Sequence, residues 1–276
     1  FALSVAPNAD FYEYATGGWQ KNNPLKPEYS RYGSFDILRD NNEKRINELF
    51  SEMTKMKAEP GSIEQKISDL YKMGLDSVRL NAEGAAPVKD AVGEILAIGD
   101  RAQLTGAIAG LHTAIANPFF SVGVQADLMN SDINALYISQ SGLTMGDRDY
   151  YLDPENENIR TAYKEYLGKL FRLAGIPEAD IEKAVAGVMN IETKLAEKSW
   201  SNTELRDIPA QYNPTAKAEF EKTYDAIDWP AYYKAMGIGD FDTIIVTTKS
   251  SIANANDLMK NAPLEDIRYY LAAQYL

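Results

Sequence analysis

The sequence predicts a mainly α protein: a multi-helix lobe with one small β-hairpin. Three observations carry that expectation. Apolar residues recur at helical spacing through most of the chain. One window, "NPFFSVGVQADLMNSDINALYISQSG", alternates instead, with Phe120, Val122 and Val124 separated by small or polar residues and Asn130-Ser131-Asp132 supplying a turn before a second extended run, Ile133 to Ser139. No segment repeats itself at a fixed period, so a solenoid array has no support.

In chain order, residues 1–33 read as irregular, with Gly17-Gly18, Pro24, Pro27 and Gly33 punctuating aromatic residues. A helix is predicted from Ser34 to about Lys57. After the break at "EPGS", Ser62 and Gln65 have capping-box spacing ahead of Ile63, Ile67, Leu70 and Tyr71. Val88, Val92, Ile95 and Leu96 mark the next helix, and "LTGAIAGLHTAI" another. After the hairpin, "GDRDYYLDP" reads as a loop. Ile159, Tyr163, Tyr166, Leu167, Leu170 and Phe171 form a strong helical stripe, closed by Gly175 and Pro177. Ile181, Val185, Val188, Ile191 and Leu195 form the following one. Shorter helices are predicted over 215–226, 229–236 and 250–260, while "FDTIIVTT" fits either a strand or a helix start. The terminal "EDIRYYLAAQYL" reads as a helix without a stop signal, and the first residue is Phe1, so the sequence is expected to be a piece of something longer.

Composition narrows the function. The 276 residues are 45% hydrophobic, enough for a large core. A net charge of -12 is opposite in sign to a nucleic-acid footprint, so nucleic acid is not an expected partner. No apolar run approaches the length of about 18 residues needed for a transmembrane helix. There is no cysteine, hence no disulfide, thiolate metal site or cysteine nucleophile.

The one histidine, His112, cannot make an H-E-x-x-H zinc site, which needs two imidazoles on one helical face. It lies among Leu111, Ile115 and alanines, and a structural role is expected for it. Asp147 and Asp149 flank Arg148, an arrangement that suggests a local ion-pair knot more than a catalytic pair. "GGW" at Gly17–Trp19 lacks the ending of a phosphate loop and is expected to permit a turn or close packing. The stretch "SRYGSFDILRD" differs from these. Helical geometry puts Phe35, Arg39, Ile46, Leu49, Phe50 and Met53 on one broad face, so a guanidinium is expected in line with core residues. It must then meet a carboxylate, reach solvent or face a wet cavity. Arg31, just before the helix, could reach the same space. Two guanidiniums beside a ring suit a peptide's terminal carboxylate.

The block "DFYEYATGGWQKNNPLKPEYSRYGSFDILRDNNEKRINELF" resembles the start of the neprilysin family of zinc metalloendopeptidases, bacterial oligopeptidase O type. The resemblance continues through "LYISQSGLTMGDRDYYLD", "IETKLAEKSWSNTELRD" and "AQYNPTAKAEF". It implies a two-lobed peptidase that hydrolyses oligopeptides inside a chamber. Residues 1–29 would lean on the catalytic lobe, and residues 30–276 would form the helical substrate-chamber lobe, incomplete at its C-terminal end. Zinc and its ligands would belong to a C-terminal catalytic part absent from this sequence, so no catalytic or metal residue is assigned here. The resemblance associates Arg31 with the free C-terminus of short substrates. It places Phe35 and Arg39 in the second pocket on the leaving-group side, with Asp36 beside them. It also implies a bacterial periplasmic, envelope or secreted location; the absence of Cys, with Ala9 and Thr16 where vertebrate relatives carry it, suits a bacterial member. The alternative is a non-catalytic helical binding domain of an envelope protein.

Overall fold

The computed structural model describes residues 1–25, 29, 31–114 and 116–276. The chain divides into two units, residues 1–82 and 83–276. The domain boundary expected between residues 29 and 30 falls at Ser30, outside the described residues, as do Pro27 and Ile115.

The first unit opens with a helix where the sequence reads as irregular. Helix α1 (Phe11–Asn22) starts because the Asp10 carboxylate accepts the Glu13 N–H at 2.9 Å. Its two glycines, poor helix formers, are kept by close packing. Gly17 is buried against the Glu13 carboxylate, and a Cβ on Gly18 would sit 2.7 Å from the Phe1 carbonyl oxygen. Helix α2 (Ser34–Met53) ends a turn before the expected Lys57. Helix α3 (Ile63–Leu75) begins with the expected cap: Ser62 Oγ accepts the Gln65 N–H at 3.2 Å, while Gln65 Oε1 reaches back to the Gly61 N–H rather than to Ser62's. Phe50 on α2 meets Tyr71 on α3 edge-on, with centroids 5.8 Å apart. Helix α4 (Ser77–Glu83) follows. The core stripe expected on α2 is not buried: no residue of α2 is, and Ile46 and Leu49 stay about half exposed.

The second unit holds the main core. Helix α5 (Ala86–Leu96) carries Pro87 in its first turn, and α6 (Leu104–Thr113) follows a short 3-10 turn capped by Asp100. Strands β1 (Phe120–Ala126) and β2 (Asn134–Gln140) form the predicted hairpin, pairing Phe120 with Gln140 and Ala126 with Asn134. Its turn is built by Asp127, whose carboxylate accepts the N–H groups of Met129 and Asn130. "GDRDYYLDP" is not wholly a loop: Asp149–Leu152 forms the one-turn helix α7. Helices α8 (Glu157–Leu173) and α9 (Glu178–Lys198) follow their predicted stripes, and Gly175 takes the left-handed conformation (φ 86°) that ends α8.

Strand β3 (Pro214–Ala216), helices α10 (Lys217–Thr223) and α11 (Trp229–Ala235), and strand β4 (Thr243–Val246) come next. The hairpin is therefore half of a mixed four-stranded sheet of order β1-β2-β4-β3. "FDTIIVTT" resolves as a strand because Ile244, Ile245 and Val246 pair in parallel with Leu136, Tyr137 and Ile138 and are buried. Pro214, which lacks an N–H, sits on the edge strand, where that donor is not needed by a second neighbour. Helices α12 (Lys249–Asn261) and α13 (Leu264–Tyr275) complete the unit, with α13 laid against α9 and α5.

His112 is the structural group its surroundings suggested. It is buried on α6, with Nδ1 2.6 Å from Tyr232 Oη and Nε2 3.3 Å from the Pro118 carbonyl oxygen. A carbonyl only accepts, so Nε2 carries the proton and Nδ1 accepts from the phenol. Burial lowers its pKa to about 4. The unfolded imidazole titrates near 6.5, so this group's contribution to stability is complete above that pH and is lost as pH falls toward 4. Unfolding by denaturant at pH 7, 5.5 and 4.5 is expected to show an acid-side loss of up to about 1.36 kcal/mol per pH unit over this window. His112→Gln should remove that component.

Candidate functional site

The stretch flagged in the sequence occupies the start of α2. Gly33 takes the N-cap position, and its N–H donates to Asp36 Oδ2 at 2.8 Å. Asp36 also faces the positive end of the helix dipole. Its other oxygen, Oδ1, lies 3.3 Å from Arg39 Nη2. One carboxylate thus ties the helix start to a guanidinium one turn along.

Arg31, Tyr32, Gly33, Phe35 and Asp36 line a cavity of 340 Å³. Arg31 is exposed, and among the described residues it has no salt bridge or hydrogen bond. The Phe35 ring is 88% exposed and offers an apolar wall. A guanidinium with its donors unspent, beside a bare ring, can hold a carboxylate through paired N–H bonds while the ring covers an apolar neighbour. A second cavity of 530 Å³, lined by Trp19, Tyr12, Thr16, Gln20 and Asn23 among others, shares Tyr32 and Gly33 as a wall.

Arg39 both meets a carboxylate and reaches solvent, two of the three outcomes open to it. It does not line the 340 Å³ cavity and does not sit among core residues. It is held at the surface by Asp36, by Glu43 at 3.9 Å and by the Tyr29 ring 5.3 Å from its guanidinium carbon. The hydrogen bond with Tyr29 keeps Arg39 more firmly charged than usual. The reason is steric economy: α2 has no covered face at this turn, so the long side chain folds along its own helix onto the nearest acid.

Four residues escaped sequence reasoning as parts of the site. Asp40 accepts from Tyr29 Oη at 2.7 Å and from Tyr32 Oη at 3.0 Å, fixing two rings at the cavity's edge. The bond to Asp40 raises the Tyr32 phenol above its ordinary value. Gly33 completes the wall. The signal was a pair of tyrosines three apart before a helix, but both precede the start of α2 at Ser34, so helical periodicity does not relate them to Asp40.

Elsewhere, Arg148 forms part of the expected knot. Its Nη1 donates to the Ser199 carbonyl at 2.7 Å, and Asp149 lies 3.9 Å from Nε. Asp147 instead accepts the Asp149 N–H and the Asn202 amide. Among the described residues no group of three or more His, Cys, Asp or Glu is placed to hold a metal ion. With His112 already engaged at both nitrogens, the described residues do not fit zinc.

These features meet a family pattern. The N-terminal model of Peptidase family M13 matches residues 7–276. Endothelin-converting enzyme 1 of Mus musculus is 30% identical over 271 residues, covering 94% of this chain and 35% of that protein. The Homo sapiens enzyme of the same name is 31% identical, covering 93% and 34%. Among solved structures, Mycobacterium tuberculosis zinc metalloprotease Zmp1 in complex with an inhibitor superposes with a TM-score of 0.89 at 23% identity, covering 98% of this chain and 42% of that one. PepO from Lactobacillus rhamnosis HN001 gives 0.74 at 20% identity, with the same coverage. The fold is that of the helical N-terminal region shared by these peptidases, and the chain belongs to peptidase family M13, a zinc-dependent family of metallopeptidases. It spans about a third of the length of the curated relatives it matches.

Proposed function

We propose that this chain is the N-terminal, non-metal-binding portion of a zinc metalloendopeptidase that hydrolyses oligopeptides. It supplies part of the chamber wall and the contacts that hold the substrate's C-terminal end. The supporting observation is the 340 Å³ cavity, in which Arg31 and the exposed Phe35 ring lie together over a carboxylate-capped helix start. Arg31 is the clamp for a free carboxylate, Phe35 the apolar wall, and Asp36 and Arg39 the pair that stiffens the helix start beneath them. Zinc belongs to residues beyond this segment. The catalytic C-terminal part of the same protein is the partner, and the N-terminal stretch, residues 1–29, packs on it. The bare side chains of Phe1, Leu3, Phe11 and Tyr12 support that docking. Residues 30–276 belong to the chamber lobe.

The same reading puts the protein in a bacterial envelope, periplasm or secreted fraction. No helix among the described residues is long and apolar enough to cross a membrane. The family match does not favour the alternative of a non-catalytic envelope binding domain.

Arg31→Ala in the full-length enzyme tests the reading. A charge-assisted contact to a carboxylate is worth about 1.5–3 kcal/mol, a factor of about 10 to 100. KM should rise by that factor for short peptides with a free C-terminal carboxylate, and far less for the same peptides amidated. Equal effects on both would remove the clamp.

A further inference from the structure

Glu192 lies midway along α9 and is 0% exposed. Every donor on its carboxyl is neutral. Thr144 Oγ1 donates to Oε1 at 2.6 Å, Gln274 Nε2 to Oε1 at 3.2 Å, and Tyr151 Oη to Oε2 at 2.8 Å. None of the ion pairs of the described residues involves it. The titratable groups facing it are phenols: Tyr151 on α7, Tyr163 on α8 and Tyr270 on α13; the loop 141–148 contributes the neutral Thr144. An ionised carboxylate taken out of water without a cation is expensive, whereas a neutral acid is not.

One neighbour is short of a partner. Tyr163 Oη faces the same carboxyl and Thr144, yet it is buried without a well-formed hydrogen bond. A proton on Glu192 supplies the donor that this oxygen lacks. Gln274 Nε2 also donates to Thr144 Oγ1 at 2.9 Å, and Tyr270 Oη donates to the Gly142 carbonyl at 3.0 Å. The network therefore joins the loop 141–148 to the last turn of α13 through α9.

We propose that Glu192 is a proton-dependent latch: as a neutral acid it donates to the Tyr163 phenol and closes one hydrogen-bonded network across α7, α8, α9, α13 and the loop 141–148, and losing that proton opens the network. Burial pushes the Glu192 carboxyl above the ordinary glutamate range, and the hydrogen bonds from Thr144 and Tyr151 oppose this only in part. The sign follows. A folded-state value raised above the unfolded one gives a contribution that is complete below the unfolded value and lost as pH rises through the folded value. The device makes the hold on the loop 141–148 sensitive to alkali, not to acid.

Infrared spectra of the 276-residue chain across pH read the proton directly, with Glu192→Gln identifying the band. The protonated-acid absorption of Glu192 should persist above the ordinary glutamate range and then disappear in a single titration. Between the ordinary glutamate range and the midpoint of that titration, the folding equilibrium constant of the native chain should fall about tenfold per pH unit relative to Glu192→Gln, which cannot ionise, and should level off above the midpoint. Tyr163→Phe decides the direction of the bond. If Glu192 donates to the phenol, losing the acceptor disfavours the neutral acid and the midpoint moves down. A midpoint that is unchanged or moves up in Tyr163→Phe, or a Glu192 that is ionised already in the ordinary glutamate range, overturns the latch.

Discussion

Trp229→Ala is expected to destabilise residues 83–276 by about 3–5 kcal/mol, the range for emptying a large aromatic site in a packed core. The indole is buried at the first turn of α11 and contacts four rings. Its centroid lies 4.8 Å from Phe220, 5.4 Å from Phe120, 5.5 Å from Tyr232 and 5.8 Å from Tyr233. Those rings come from α10, β1 and α11, so one side chain joins the sheet to two helices. Its Nε1–H also donates to the Tyr224 carbonyl, which would be left buried and unpaired. Denaturant unfolding of the 276-residue chain checks this. The midpoint should fall with the slope unchanged, and Trp229→Phe should recover more than half of the loss by refilling most of the volume. A loss below 1 kcal/mol would show that the aromatic cluster is loosely packed.

Gly142→Ala is expected to cost about 3 kcal/mol or more, for two separable reasons. Gly142 has φ 92°, where an L side chain is strained by about 1–2 kcal/mol. Its added Cβ would also overlap Tyr270 Oη and lie 2.7 Å from the Phe119 backbone nitrogen. That backbone cannot retreat easily, because Phe119 is itself buried at φ 65° and donates its N–H to the same phenol at 2.9 Å. Gly146 provides the control: it has φ 82°, but a Cβ there meets nothing within 4 Å. Gly146→Ala should therefore show the strain alone, about 1–2 kcal/mol. Calorimetric melting of both variants separates the contributions, and equal losses would contradict the overlap.

The elements that could be read from the sequence are those whose stabilising contacts are local and periodic. Helices α8 and α9 carry unbroken apolar stripes, and Ser62 with Gln65 announces α3. What escaped depends on partners distant in sequence. Helix α1 is disguised by Gly17-Gly18, which are retained for the approach of Phe1 and the Glu13 side chain. Strand β4 is ambiguous until Leu136–Ile138, more than a hundred residues earlier, is laid beside it. The same holds for the site. Arg31, Phe35 and Asp36 stand out as charged and aromatic residues crowded at a helix start, and they do share a cavity. The stripe of α2 that carries Arg39 was expected to be covered, but helical periodicity says which residues share a face, not whether anything covers that face. Glu192 left a trace that could have been followed: it falls four residues after Val188 and three before Leu195, inside the apolar stripe of α9.

The most direct measurement asks where the end of a bound peptide lies. A short peptide bearing a photoreactive group on its C-terminal residue, with the carboxylate free, is bound to the full-length enzyme with catalysis blocked, irradiated and mapped by mass spectrometry. The label should fall on residues 31–36, above all on Tyr32 and Phe35, and should be lost from them in Arg31→Ala. Labelling confined to other segments, with none between Arg31 and Asp36, would contradict the assignment of this cavity to the substrate's carboxyl end.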